Sequence, residues 1–225
     1  MATLEALWDL ARADLNEPDT DFFTNADMVK WSNEWEDDCA RRTLSIETST
    51  TVTTVADQRT YSLPAAFLET DSVTWEDDDG DAAELDNVSK GELKDEDSTW
   101  RDADSGSPSR WYLDGDTTLG LHPPPKTAGR TVTIYYRSLQ ATAFVAASPS
   151  TQTPAVATRF HNLGSKFIAS RMARSDGQRE LANRLMGEYE NEMAIEMTRR
   201  REARNRVTQW RRDSANAEKA WRSGF

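Results

Sequence analysis

The 39 carboxylates of this 225-residue chain are its most abundant chemical resource. Glycoside hydrolysis needs two carboxyl groups at a set separation, one acting as acid and the other as base or nucleophile. Glu34 and Asp114 are candidates for such a pair. No nearby feature would raise the pKa of either, and no spacing selects one pair over the others. Cys39 is the single cysteine, which excludes an intramolecular disulfide. Its place in Trp35-Glu36-Asp37-Asp38-Cys39-Ala40 reads as a small apolar position on a helix face and not as a reactive thiol. His122 and His161 are the only histidines, so the Cys/His set of a structural zinc site is missing, and no cofactor is expected. The run Glu76-Asp77-Asp78-Asp79-Gly80-Asp81 looks like a calcium loop but lacks the ligand spacing and closing glutamate of one; it reads as an acidic hairpin tip, with cation binding left open. Trp75, Trp100 and Trp111, if exposed, would give a stacking platform for sugars and make the chain a carbohydrate- or receptor-binding module. Trp31 and Trp35 could stack on a base or sugar too, but lie on a helix stripe and read as core or subunit interface.

Charge is divided unevenly. The chain carries −12 overall, yet residues 199–225 hold nine basic and three acidic side chains, giving +6 there and −18 on residues 1–198. A body that negative repels a phosphate backbone at long range, and no helix-turn-helix or zinc pattern accompanies the basic segment, so sequence-specific nucleic-acid binding is not expected. Only 37% of residues are apolar against 29% charged, less core material than a domain of this size usually has, which points to surfaces that become ordered on partners. There is no signal-peptide pattern and no run of the roughly 20 apolar residues that a membrane helix needs, so a soluble intracellular product without membrane contact is expected.

The elements that must position these residues follow from periodicity. Leu4, Leu7, Trp8, Ala11 and Leu15 form one helical stripe, broken at Asn16-Glu17-Pro18. Thr24, with Asp27 three residues on, caps a second helix whose buried stripe is Met28, Trp31, Trp35 and Cys39. Between Ser45 and Leu139 β-branched runs alternate with turn residues, predicting antiparallel strands at Ile46–Val55, Thr60–Leu63, Ser72–Glu76, Trp111–Leu113, Thr118–Leu121 and Thr131–Arg137. Leu139–Thr153 reads as a connector without structure of its own. After Pro154 a third helix buries Val156, Phe160, Leu163, Phe167 and Ile168, turns at Ser175-Asp176-Gly177, and gives way to a long helix striped by Leu181, Leu185, Tyr189, Met193 and Met197.

The expected fold is α+β: an α-helical bundle formed by the N- and C-terminal helices, an inserted antiparallel β-rich lobe, and an extended basic C-terminal tail. The division is residues 1–44 for the N-terminal helices, 45–139 for the β insert, 140–153 for the connector, 154–198 for the C-terminal helices and 199–225 for the tail.

Several motifs across the β insert carry a resemblance. They are Tyr61-Ser62-Leu63-Pro64 followed by Phe67; Gly106-Ser107-Pro108 leading into Trp111-Tyr112-Leu113; Leu119-Gly120-Leu121-His122-Pro123-Pro124-Pro125; and Val132-Thr133-Ile134-Tyr135-Tyr136. Helix two, Thr24 to Glu34, and Arg159-Phe160-His161 add to it. In this order the chain resembles the head-to-tail connector (adaptor) proteins of tailed bacteriophages and related viruses. On their own chemistry the motif residues, Leu63 and Pro108 among them, read as structural: Pro64, Pro123, Pro124 and Pro125 end strands, Gly106 permits a turn, and Tyr61, Trp111, Tyr112 and Tyr136 fill a small core.

The resemblance implies a structural virion protein of the neck, made in the host cytoplasm and not an enzyme. It would form a homo-oligomeric, dodecameric ring below the portal protein, continue the DNA channel without binding DNA specifically, and offer its far side to the tail or the next neck protein. The C-terminal segment would reach the portal, with Arg199, Arg200, Arg201, Arg204, Arg206, Arg211 and Arg212 making forked contacts to carboxylates and Trp210, Trp221 and Phe225 as apolar anchors. The alternatives are a carbohydrate- or receptor-binding β module of a virion and a cell-wall glycan hydrolase.

Overall fold

Thr3 closes the first turn of helix α1 (Leu4–Leu15) by accepting the Ala6 amide on its hydroxyl, and Asn16 ends the helix in the left-handed conformation. Helix α2 (Asn25–Thr43) starts with the expected reciprocal cap: the Asp27 amide donates to Thr24 Oγ1, while the Asp27 carboxylate accepts from the Thr24 amide and hydroxyl. These caps satisfy amides that a helix start leaves without partners. The computed structural model describes residues 2–16, 22–76, 80–140 and 142–199. Among the described residues the fold is α+β, with helices α1, α2, α3 (Lys90–Glu96), α4 (His161–Ser175) and α5 (residues 179–199), and two four-stranded sheets.

The chain divides into two compact units, one of Met1–Trp35, Phe144–Pro154 and Thr158–Phe225, the other of Glu36–Ala143 and Ala155–Ala157. The first is helical. Its core draws Leu4, Trp8 and Ala11 from α1, Met28 and Trp31 from α2, Ile168, Ala169, Met172 and Ala173 from α4, and Ala182 and Leu185 from α5. Trp8 donates its indole N–H to Ser32 Oγ at 2.9 Å, and the Ser32 hydroxyl donates in turn to the Met28 carbonyl, so the polar atom of this buried ring is satisfied. Gly164 on α4 leaves room for the Trp35 ring, since a Cβ there would lie 2.9 Å from it. Arg171 pairs with Glu34 at 3.3 Å, and Lys166 on α4 pairs with Glu188 on α5 at 2.7 Å.

In the second unit sheet A has the order β1-β8-β3-β4, formed by Glu47–Thr53, Thr131–Ser138, Phe67–Glu76 and Ala82–Glu84, all antiparallel. Sheet B has the order β2-β7-β6-β5, formed by Thr60–Ser62, Thr118–His122, Arg110–Leu113 and Asp86–Asn87. Val73, Trp75, Val132, Ile134 and Tyr136 of sheet A share one core with Tyr61, Trp111, Leu119 and Leu121 of sheet B. Alternating inward residues on two facing sheets bury their apolar sides against each other.

Four details depart from the sequence expectation. Strand β3 starts at Phe67, five residues earlier than expected at Ser72, and takes in two register shifts against β8. Strand β5 runs parallel to β6, so the insert is not wholly antiparallel. Helix α4 starts at His161 after a 3₁₀ turn at Thr158–Phe160, later than expected from Pro154. The 140–153 connector is tied down: it contains a 3₁₀ turn at Pro149–Thr151, Phe144 is buried in the helical core, and Asn33 bonds both the amide and the carbonyl of Phe144, at 2.8 and 3.3 Å. Composition rich in Ala, Ser and Thr hides such side-chain-to-backbone anchoring.

Candidate docking surfaces

The chemistry-bearing side chains end mostly in structural roles. Glu34 pairs with Arg171 and Asp114 with Lys90, so each candidate hydrolytic carboxylate is held by a cation. Cys39 is buried, and burial pushes its thiol up to about 12, which leaves no thiolate at neutral pH. Trp75, Trp100 and Trp111 are only 5%, 3% and 4% exposed. They pack inside the β unit and give no sugar-stacking platform, which corrects the exposed placement considered from sequence. Among the described residues no group of three or more His, Cys, Asp or Glu is placed to hold a metal ion. Residues 77–79 of the acidic run lie outside the described residues, and strands β3 and β4 pair across it with Glu76 opposite Ala82.

The motif residues gather in the β unit. Tyr61 on β2 donates its hydroxyl to the Gln58 carbonyl at 3.0 Å, and burial raises its pKa. Leu63 donates its amide to the Thr117 carbonyl, and the Pro64 carbonyl accepts from Phe67, turning the chain into β3. Trp111 and Tyr112 are buried on β6; Tyr136 on β8 lies with its ring centroid 5.7 Å from that of Phe67. Pro108 and Pro125 are buried, the His122–Pro123 peptide is cis, and Gly106 bridges to Pro125 with its amide on the Pro124 carbonyl. Gly106 has no positive φ; a Cβ there would press on the Pro123 ring at 3.1 Å, so the glycine serves close approach and not the turn expected from sequence. Gly120 serves the Tyr112 ring likewise: the ring lies over β7 where a side chain would be.

Of the basic docking candidates, Arg199 is exposed at the described end of α5 and paired with Glu196, beside exposed Ile195 and Met197. Arg200, Arg201, Arg204, Arg206, Trp210, Arg211, Arg212, Trp221 and Phe225 lie outside the described residues.

Two features escaped the sequence reading. Glu36 is fully buried; its Oε1 accepts the amides of Ala155 and Val156, and its Oε2 has no hydrogen-bond partner. Burial, aided by the Asp37 charge, outweighs the two amides and lifts its pKa to about 7. A cationic cluster also surrounds Trp100. Arg59 donates to the carbonyls of Trp100 at 3.2 Å and Arg101 at 2.8 Å, and the guanidinium carbons of Arg59 and Arg101 lie 5.6 and 4.8 Å from the Trp100 ring centroid. Tyr112 meets the same ring edge-on at 5.3 Å. His122 stands 6.2 Å away, its pKa lowered by burial and then by Arg59 and Arg110.

The described residues thus form a helical unit and a β unit whose Trp75, Trp100 and Trp111 are turned inward. Residues 2–213 match the SU10 adaptor protein family, and the chain belongs to that family of structural phage adaptors, a virion class and not an enzyme class. No curated protein matches the chain. Among the described residues no helix is long and apolar enough to cross a membrane.

Proposed function

We propose that this chain is a head-to-tail adaptor: a ring of identical subunits, dodecameric as the resemblance implies, seated below the portal protein, continuing the DNA channel and presenting the attachment surface for the tail or the next neck protein. The observation that carries the reading beyond the family is the charge division of +6 on residues 199–225 against −18 on the rest. An acidic ring lets a phosphate backbone slide past, because few cations replace the counterions of the strand. A basic segment with Trp210, Trp221 and Phe225 fits an acidic, partly apolar surface on a different protein, and its arginines steer the encounter. In this reading residues 199–225 are the portal-docking segment, while the motif residues from Tyr61 to Tyr136 hold the β unit in shape.

Native mass spectrometry of the purified chain with its cognate portal tests this. The expected result is a complex with a fixed multiple of adaptor chains per portal ring, lost when residues 199–225 are deleted. A chain that never joins the portal, with or without that segment, overturns the reading.

A further inference from the structure

A ring of bodies that each carry −18 works against its own repulsion, so side-by-side copies need local patches of opposite charge. Eight of the described cations are used within their own chain: Arg12, Arg42, Lys90, Arg110, Arg137, Lys166, Arg171 and Arg199 each pair with a carboxylate. Arg59 and Arg101 are not among these eight, and both converge on one aromatic ring. Their partners are carbonyl oxygens and the Trp100 ring, and neither guanidinium has a carboxylate partner among the described residues. Two like charges held against one aromatic ring repel each other, and an incoming anion relieves that repulsion.

The arrangement is also fixed in advance. Trp100 is packed with Leu93 and Tyr112 in a small core of its own. The Arg59 fork is locked by two carbonyls, with Arg101 exposed beside it. A guanidinium pre-set by stacking and hydrogen bonds loses little side-chain entropy on binding and keeps further N–H groups for a forked contact to a carboxylate.

We propose that the Arg59–Arg101–Trp100 face of the β unit is a subunit interface that receives carboxylates from a second copy of this chain. The inference rests on the ring reading above. A second copy is the occupant favoured by charge, because every neighbouring body brings a large excess of carboxylates, and the ring keeps it adjacent.

The test uses full-length chain in unlabelled and ¹⁵N-labelled forms, mixed in equal amounts, alone at high concentration and with cognate portal. Arg101→Lys supplies an amine for zero-length carbodiimide coupling to any carboxylate in contact. The expected product is a mixed-isotope cross-link between position 101 of one copy and an Asp or Glu of another. Arg101→Glu should weaken self-association at least tenfold in sedimentation and Arg59→Glu/Arg101→Glu further, with the far-ultraviolet circular dichroism of the wild type. Cross-links confined to one chain, or running only to the portal, overturn the proposal, as does unchanged association of the charge-reversed chains. Isotope-mixed cross-links in a chain that never joins the portal would sink the adaptor reading and leave this interface standing.

Discussion

Glu36 has its carboxyl group wholly withdrawn from water, one oxygen serving two backbone amides and the other serving none. An acid whose folded pKa stands at about 7 against an ordinary 4.5 favours the folded state while it is protonated. Its contribution is complete below pH 4.5, falls as pH rises through the window to about 7, and stays lost above it, because the charged form must be held in a buried site. A shift of that size corresponds to about 3 kcal/mol. Glu36→Gln keeps an oxygen for the Ala155 and Val156 amides and removes the titration. In urea unfolding at pH 5 and pH 8, the stability of the variant relative to wild type should rise by roughly that amount between the two; the other carboxylates are common to both chains and cancel. Equal differences at the two pH values would show that Glu36 does not titrate in this range.

Helix α3 shows how a short element is held by its ends. Ser89 Oγ accepts the Glu92 amide at 3.1 Å while the Glu92 carboxylate accepts the Ser89 amide at 2.7 Å, a complete capping box for a seven-residue helix that buries only Leu93. Ser89→Ala should cost about 1 kcal/mol in chemical unfolding, and Ser89→Asp should recover most of it because an aspartate also accepts at this position. Equal loss in both would place the role of Ser89 elsewhere. The sequence carried the Ser-x-x-Glu signal, yet α3 escaped notice because seven residues including Gly91 leave no apolar period to read. Helices α1 and α2 were legible because Leu4, Leu7, Trp8 and Ala11, and Met28, Trp35 and Cys39, repeat at helical spacing and are all buried. Six strands were legible through β-branched and aromatic runs, whereas β4 is a fully exposed three-residue arm of the hairpin with β3, and β5, two residues long, exists only through its distant partner β6. The Trp100 cluster was illegible for the same reason: Arg59 lies 42 positions from Arg101 and meets it only through a long-range fold contact.

Over the whole molecule, charge opposes compactness. The chain carries −12, and removal of residues 199–225 leaves −18 on the remainder. Repulsion among like charges raises the free energy of the compact state, and salt screens it over a Debye length that shortens from about 30 Å at 0.01 M to about 10 Å at 0.1 M. The buried stripe of α5 consists of Ala182, Leu185, Tyr189 and Met193, all before residue 199, so deletion of 199–225 removes charge without opening the described core. Melting temperatures of the full chain and the 1–198 chain, measured from 0.01 to 0.2 M sodium chloride, should both rise with salt, and the shorter chain should rise more steeply because its net charge is larger. The two curves should converge at the high-salt end, where short-range packing alone distinguishes the chains. A shorter chain that is less sensitive to salt than the full one would mean that the basic segment works against the acidic body in the isolated subunit instead of compensating it, and the docking role of that segment would then need a source of attraction other than its charge.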